Sequence, residues 1–505
     1  MSDPSVIIIG GGLAGLATGC YAQMNGYQCQ VLEHGRHPGG VAAEWKRRGY
    51  TIDGGIHFYM GYRPGKPTHD IYRELGVYQA DQYKEMSTYG RFVVPARDQV
   101  LDVTKDLDHL AETMKRLSPG DAGFVDRMIK GAKTFSHTDM SSFMGKPPEM
   151  VGVWDNLKMI ARSWRALRYF SGWSMQPMRT ATQRLANPWL AEVFNHLFLP
   201  GVPVTFIMML LGALADGNMA IRKDGSGGFA RALERRFLDL GGQVRYRASV
   251  EKILVENGRA RGVRLTNQEE IRSGRVVSAA DGFSTLYHML DGRFVTKQLK
   301  EMHETWPLWK PVVLINYGVT RGFPDEPSIV MLKRPSPAGA GCFTSDWYVI
   351  RIFNYCPNCA PQGKTLIQVM VESDWEYWKK LKGDEYAYKA EKKKTARAVL
   401  EHLDALWPGI SKQVEMTNVA TPHTWWRFTR NRRGSFEGFA ITSKILSASV
   451  RRTLPSLAGF LMAGQWVVPG GGVVPTLLSG KHAVMLMCRE DGIPFQTSRV
   501  DDPSG

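Results

Sequence analysis

The chain is poor in everything that would make it a disulfide scaffold, a membrane-spanning protein or a hydrolase. Six cysteines are scattered over 505 residues, too few to staple a fold. Cys356 and Cys359 form a lone C-x-x-C. Without a second pair or nearby histidines it is a weak zinc motif, and Pro357 and Pro361 argue for a loop rather than the helix start of a thioredoxin-like site. It reads as a coincidence or a structural thiol pair. The most apolar later stretch, VTFIMMLLGALA at 204–215, has about a dozen residues, whereas a bilayer-spanning helix needs about 20. It reads as a buried or lid helix that at most touches a membrane surface. The apolar run at 6–9 is too short for a signal peptide and lacks a basic segment before it. G-x-S-x-G, H-E-x-x-H and paired metal-ligand motifs are missing, and so are internal repeats and low-complexity tracts. The expected setting is reducing and cytoplasmic, with peripheral attachment to a membrane left open.

Acidic residues are outnumbered, 48 against 64 Lys and Arg, for a formal charge of +16. The surplus is dispersed in short clusters such as Lys46–Arg48, Lys392–Lys394 and Arg430 with Arg432 and Arg433. A solvated basic surface is the simplest reading, and an anionic membrane surface is the next. No nucleic-acid motif accompanies the charge, so nucleic acid is not the expected partner. Hydrophobic residues make up 43% and charged residues 22%, which fits a globular chain of two or three interlocked domains.

What is present begins at residue 6 with VIIIGGGLAGLATG. A short β-branched run reads as a buried parallel strand, LAGLATGCYAQMNG as a helix, and YQCQVLEHG as a second strand ending in an acid. Gly10, Gly12 and Gly15 have G-x-G-x-x-G spacing inside this βαβ unit. The first allows the sharp turn, the second lets backbone N–H groups lie against a pyrophosphate, and the third lets the helix close on the sheet. The helix N-terminus adds partial positive charge. Glu33 sits where a carboxylate can accept from both ribose hydroxyls. The unit predicts a bound dinucleotide.

The rest of the chain points to FAD. Gly39 and Gly40 make a second turn, and Asp53-Gly54-Gly55 makes a third after the strand YTI. Near the other end, GFLMAG closes on Gly464. A turn at 470–472 follows, with Gly471, Gly472 and Val473 leading into a helix that has Pro475 in its first turn. Between them, residues 225–265 read as helix, strand and hairpin, and GRVVSAAD at 274–281 as a strand returning to the first sheet. Several bare turns from distant parts of the chain suit one long, extended cofactor.

These pieces, with TPHTWWRFT and GSFEG near 421–438, resemble the FAD-dependent phytoene desaturase, carotenoid isomerase and retinol saturase family within the amine-oxidase-like flavoproteins. Their order is the family's, and they cover nearly the whole chain. The resemblance implies an α/β fold: a Rossmann-type FAD-binding domain from 1–75, 220–290 and 455–490, a helical substrate- or membrane-facing region at 90–215, and a mixed-sheet substrate domain at 300–450. It implies a desaturase, saturase or isomerase acting on C–C bonds of an apolar isoprenoid or carotenoid-like substrate. Val41 departs from the family's arginine after the double glycine, and Gln465-Trp466 replaces smaller or hydroxylated residues.

Trp154, Trp164, Trp173, Phe194, Phe198, Phe206, Met208 and Met209 suit either a substrate tunnel or an ordinary helical core. His57 is expected near the flavin, or else as a satisfied buried histidine. Arg427 lies in a segment resembling the family's substrate-facing strand. There it would offset charge near flavin N1, or else form a structural salt bridge. An amine or other small-molecule oxidase is the alternative, favoured by an aromatic cage. A non-redox prenyl-lipid escort is the remote one, disfavoured by the intact glycine turn. Oligomeric state and electron acceptor stay open.

Overall fold

The computed structural model describes residues 3–138, 145–334, 341–446 and 448–500. The first strand, Ser5–Ile9, lies inside a nine-stranded sheet, parallel to Gln28–Glu33 on one side and Arg275–Ser278 on the other. Alternation along it is complete. Val6 and Ile8 point into a core shared with the helices Leu13–Met24, Gly225–Asp239 and Val473–Asp491. Ile7 and Ile9 point into a second core with Ile253, Val263, Phe460 and Trp466. Burial on both faces is why the strand carries isoleucine and valine at consecutive positions.

The sheet collects distant segments. Gln243–Tyr246 pairs with Gln28–Glu33, and Leu457–Met462 pairs with Arg275–Ser278, both in parallel. The hairpin read within 225–265 is the antiparallel pair Val250–Glu256 and Arg259–Leu265. The fold is therefore α/β, with its first sheet assembled from both ends and the middle of the chain.

A second sheet of seven strands runs in the order Val414–Ala420, Val312–Val319, Thr365–Glu372, Trp347–Ile352, Ile329–Lys333, Thr88–Val94, Gln99–Thr104. Its pairs are antiparallel except Ile329–Lys333 with Thr88–Val94. The charged helix Glu385–Leu406 covers one face through Ala396, Val399 and Leu403. The other face turns toward the helices of the insertion. The start of the region expected to be helical is thus corrected: 88–104 is a strand pair completing the second sheet, and helices begin at Leu107. TYGRFVV and QVLDVT carry the β-branched and aromatic content that favours this pairing.

Val204–Ala215 is a helix, buried at eight of its twelve residues. Among the described residues no helix is long and apolar enough to cross a membrane. Cys356 and Cys359 lie in a loop, as expected, and their sulfurs are bonded to each other.

Candidate active site

A cavity of about 510 Å³ joins the two sheets. Its lining includes Gly10, Gly12, Glu33, Gly39, Gly40, Gly55, His57, Gly464, Gly471, Gly472 and Val473. The glycine turns at the two ends of the chain, some 450 residues apart, border one space. Gly15 does not line it and acts behind it. A Cβ there would stand 1.9 Å from the Gly10 carbonyl oxygen, so the helix can close on its own turn only with a hydrogen at that place.

At one end the walls are backbone. Gly12 is the N-cap of Leu13–Met24, and no side chain caps that helix, so its first N–H groups are left for an anion. Gly39 donates to the Gly11 carbonyl at 2.9 Å, laying the second turn beside the first. A side chain at Gly12 would fill the gap between them, meeting only Gly39 and Gly40 within 4 Å. Glu33 accepts from Gly11 N at 2.6 Å and Gly35 N at 2.5 Å, one bond per oxygen, which leaves lone pairs for a diol.

The third turn is held by a buried ion pair. Arg351 Nη1 donates to Asp53 Oδ1 at 3.0 Å, with both side chains almost fully buried. Ser226 N and Oγ donate to the same carboxylate at 2.6 and 2.8 Å, and Gly55 N donates at 3.0 Å. Arg351 Nη2 also donates to the Ile56 carbonyl at 3.0 Å. A helix N-terminus, a loop and a strand of the second sheet thus fix the backbone of 53–57, and His57 with it. Burial, with Arg351 adding to it, pushes the His57 imidazole down to about 3. It is neutral at physiological pH, and its buried Nε2 has no hydrogen-bond partner in the protein. The histidine is not the satisfied core residue that was the alternative.

Glu437 was not anticipated. It lines the cavity beside the 470–472 turn, where its Oε2 accepts from Gly472 N at 2.7 Å. Burial pushes its carboxyl up to about 7. A Cβ on Gly471 would push against the Glu437 carboxylate, and φ at Gly471 is +61°, a backbone conformation that favours glycine. The other lining carboxylates are already engaged: Glu33 by two N–H donors, Glu372 by Lys310 at 3.1 Å. An isolated acid in GSFEG carries no motif; only the fold brings 437 to 472.

The far end is apolar. Phe58, Met60, Phe198, Phe206, Leu210, Met331, Trp347 and Met370 line it, from the segment after the third turn, the insertion and the inner face of the second sheet. Of the eight aromatic and methionine residues considered for this role, Phe198 and Phe206 line the cavity, with ring centroids 4.7 Å apart. Phe194 and Met208 are core. Trp173 packs at the margin against Phe124, and Met209 is partly buried against the same core. Trp154 and Trp164 point into solvent.

Arg427 requires a correction. TPHTWWRFT is not a strand but the helix Pro422–Thr429, capped by Thr421, whose Oγ accepts from Thr424 N. At a helical period Arg427 turns outward and is exposed, its guanidinium 5.0 Å from the Phe428 ring. Arg430, one residue past the helix, lines the cavity instead. It donates to His34 Nε2 at 3.3 Å, beside Glu33, at the backbone-walled end. Val41, Gln465 and Trp466, the departures from the family pattern, are all lining residues.

An uncapped helix start, a carboxylate with spare lone pairs, a bare gap between two turns and a second helix N-terminus behind Gly472 fit an extended dinucleotide. The comparisons agree. The family model for flavin-containing amine oxidoreductases matches residues 13–488. Among curated relatives, the chloroplastic prolycopene isomerase of Arabidopsis thaliana is 23% identical over 98% of this chain and 84% of its own. The neurosporene-forming phytoene desaturase of Cereibacter sphaeroides is 25% identical over 92% of this chain and 91% of its own. Among solved structures, an oxidoreductase from Methanosarcina mazei aligns with a TM-score of 0.61 at 17% identity, covering 95% of this chain and all of that one. Cyclohexylamine oxidase from Brevibacterium oxydans aligns with 0.58 at 13%, covering 97% and 100%. The chain belongs to the flavin-containing amine oxidoreductase family, and its cofactor is FAD.

Proposed function

We propose that this FAD-dependent oxidoreductase acts on C–C bonds of an apolar, carotenoid-like isoprenoid, as a desaturase, saturase or isomerase. The observation that carries this reading is the single cavity running from the glycine turns into a lobe walled by Phe198, Phe206, Met331, Trp347 and Met370. Such a lobe takes a long apolar chain and offers it few polar partners. The names of the relatives, prolycopene isomerase and phytoene desaturase, support the same substrate class.

FAD, when bound, supplies the two-electron acceptor or donor for the carbon skeleton. The chain does the rest. Gly10, Gly12 and the first turn of Leu13–Met24 hold the pyrophosphate, and Glu33 holds the ribose. Gly464 and Gly471–Val473 hold the far end of the cofactor. His57, neutral and fixed by the Asp53–Arg351 pair, offers its free Nε2 for a hydrogen bond. Glu437 takes or returns the proton that a desaturation or isomerisation moves. An anionic membrane surface is the source from which so apolar a substrate is drawn.

The test is anaerobic reduction of the holoenzyme, its exposure to candidate polyenes and chromatography of the products. New or isomerised polyenes, with spectral change only on adding a lipid substrate, support the reading. The likeness to cyclohexylamine oxidase favours one alternative, a small-molecule amine oxidase. Rapid reduction of the bound flavin by a soluble amine, with polyenes unchanged, transfers the assignment there.

A further inference from the structure

The helix Val153–Leu167 is built inside out. Val153 is 75% exposed, Trp154 77%, Leu157 49%, Ile160 47% and Trp164 64%. At 100° per residue these side chains fall on one face covering roughly a third of the circumference. The buried positions, Ser163 and Ala166, lie on the opposite face, where the helix packs on Ala122–Ser136. The small residues hold the helix to the protein and the large apolar ones are presented to solvent. Soluble proteins seldom leave so contiguous an apolar face uncovered.

The surroundings identify what covers it. Lys158, Arg162 and Arg165 are exposed along one flank of the apolar face, and Arg168 follows directly. The one acid of the helix, Asp155, is spent internally. It accepts from Gly152 N at 3.0 Å and pairs with Lys146 at 2.8 Å. An apolar face with two tryptophans and a cationic flank is matched by a bilayer interface with anionic headgroups: acyl chains take the first, headgroup phosphates the second. A protein partner would need an apolar face with an acidic flank, and the chain's net charge of +16 disfavours a second copy. The position is apt. Ala122–Ser136 packs in turn on Val204–Ala215, whose Phe206 and Leu210 line the cavity.

We propose that Val153–Leu167 is an interfacial anchor that lays the protein on an anionic membrane surface, with Trp154, Leu157 and Trp164 inserted and Arg162 and Arg165 at the headgroups. This deepens the lipid-substrate reading by naming its docking surface. The test reads binding, without turnover, so the two can fail separately.

Full-length holoenzyme is sedimented with vesicles of phosphatidylcholine alone or with added phosphatidylglycerol. Wild type binds the anionic vesicles and is released by high salt. Trp154→Ser with Trp164→Ser, and Arg162→Glu with Arg165→Glu, each raise the lipid needed for half-binding on the order of tenfold or more. Both variants keep the flavin spectrum and hydrodynamic size of wild type, because the substituted side chains are in solvent. Vesicle affinity unchanged in both variants overturns the proposal. So does a wild-type dimer that Trp154→Ser converts to monomer, which would make the face a contact between copies. Docking that survives in a protein inert toward polyenes would overturn the substrate assignment and leave the anchor standing.

Discussion

The two ends of the cavity are made of opposite materials. At the cofactor end the wall is largely backbone: turns, N–H groups and helix starts, with a few polar side chains such as Glu33, His34 and Arg430. At the other end the wall is side chain, with phenylalanine, methionine and tryptophan from the insertion and the second sheet. A backbone wall has one solution, because only hydrogen fits where chains touch. A side-chain wall has many, because volume can be shared out among neighbours. The first end should therefore break at single positions and the second should yield gradually.

The largest expected effect is at Gly15. Gly15→Val places a branched side chain against a carbonyl oxygen that even a Cβ would meet at 1.9 Å. The purified protein is expected without flavin, lacking the absorbance near ~450 nm of the oxidised cofactor. Phe206→Ala, at the other end, keeps that absorbance. Full flavin occupancy in Gly15→Val, or its loss in Phe206→Ala, would undo the contrast.

Next is the Asp53–Arg351 pair, which ties the third turn to the second sheet. Arg351→Met leaves Asp53 buried opposite a thioether. Breaking a buried pair from one side costs about 3–5 kcal/mol. Denaturant unfolding should show a loss of that size, and one below about 1 kcal/mol would mean that water replaces the guanidinium.

Legibility followed the same division. Gly10, Gly12, Gly39, Gly464 and Gly472 could be read because a turn against a phosphate has a spacing that survives as sequence, and all of them reach the cavity. The Arg275–Ser278 strand was legible too, since its two consecutive valines suit a strand buried on both faces. Arg427 was misplaced through its period. A strand alternates every second residue, whereas a helix turns 100°, and the choice decides which side chains face inward. The signal was there: Thr421 before Pro422 is an N-cap followed by a first-turn proline. Trp154 and Phe206 could not be told apart by composition, since each sits in an apolar-rich helix. Which face packs depends on partners far away in the chain. Glu437 was illegible for that reason as well.

The smallest effect expected is the most diagnostic, because Glu437 is a lone carboxylate bonded to the Gly472 turn. Burial holds it near 7 in the folded protein, against an ordinary 4.5. Below about pH 4.5 both folded and unfolded chains carry the proton, and the residue contributes no pH dependence. As pH rises from there, the unfolded chain releases the proton first, so stability falls until the folded form also ionises near 7, and then levels off. Glu437→Gln removes this slope. His57, held at about 3, and His303, held at about 4, titrate in both proteins and cancel in the difference. Wild type should therefore lose on the order of 2 kcal/mol relative to Glu437→Gln between about pH 4.5 and about pH 7, and nothing further above that. In turnover the same substitution should cost about 10²-fold or more and remove the pH dependence near 7, with flavin content unchanged. A flat stability difference across that window would mean that the carboxylate is solvated and ordinary. A normal rate in the variant would mean that water carries the proton, leaving this carboxylate without chemistry of its own.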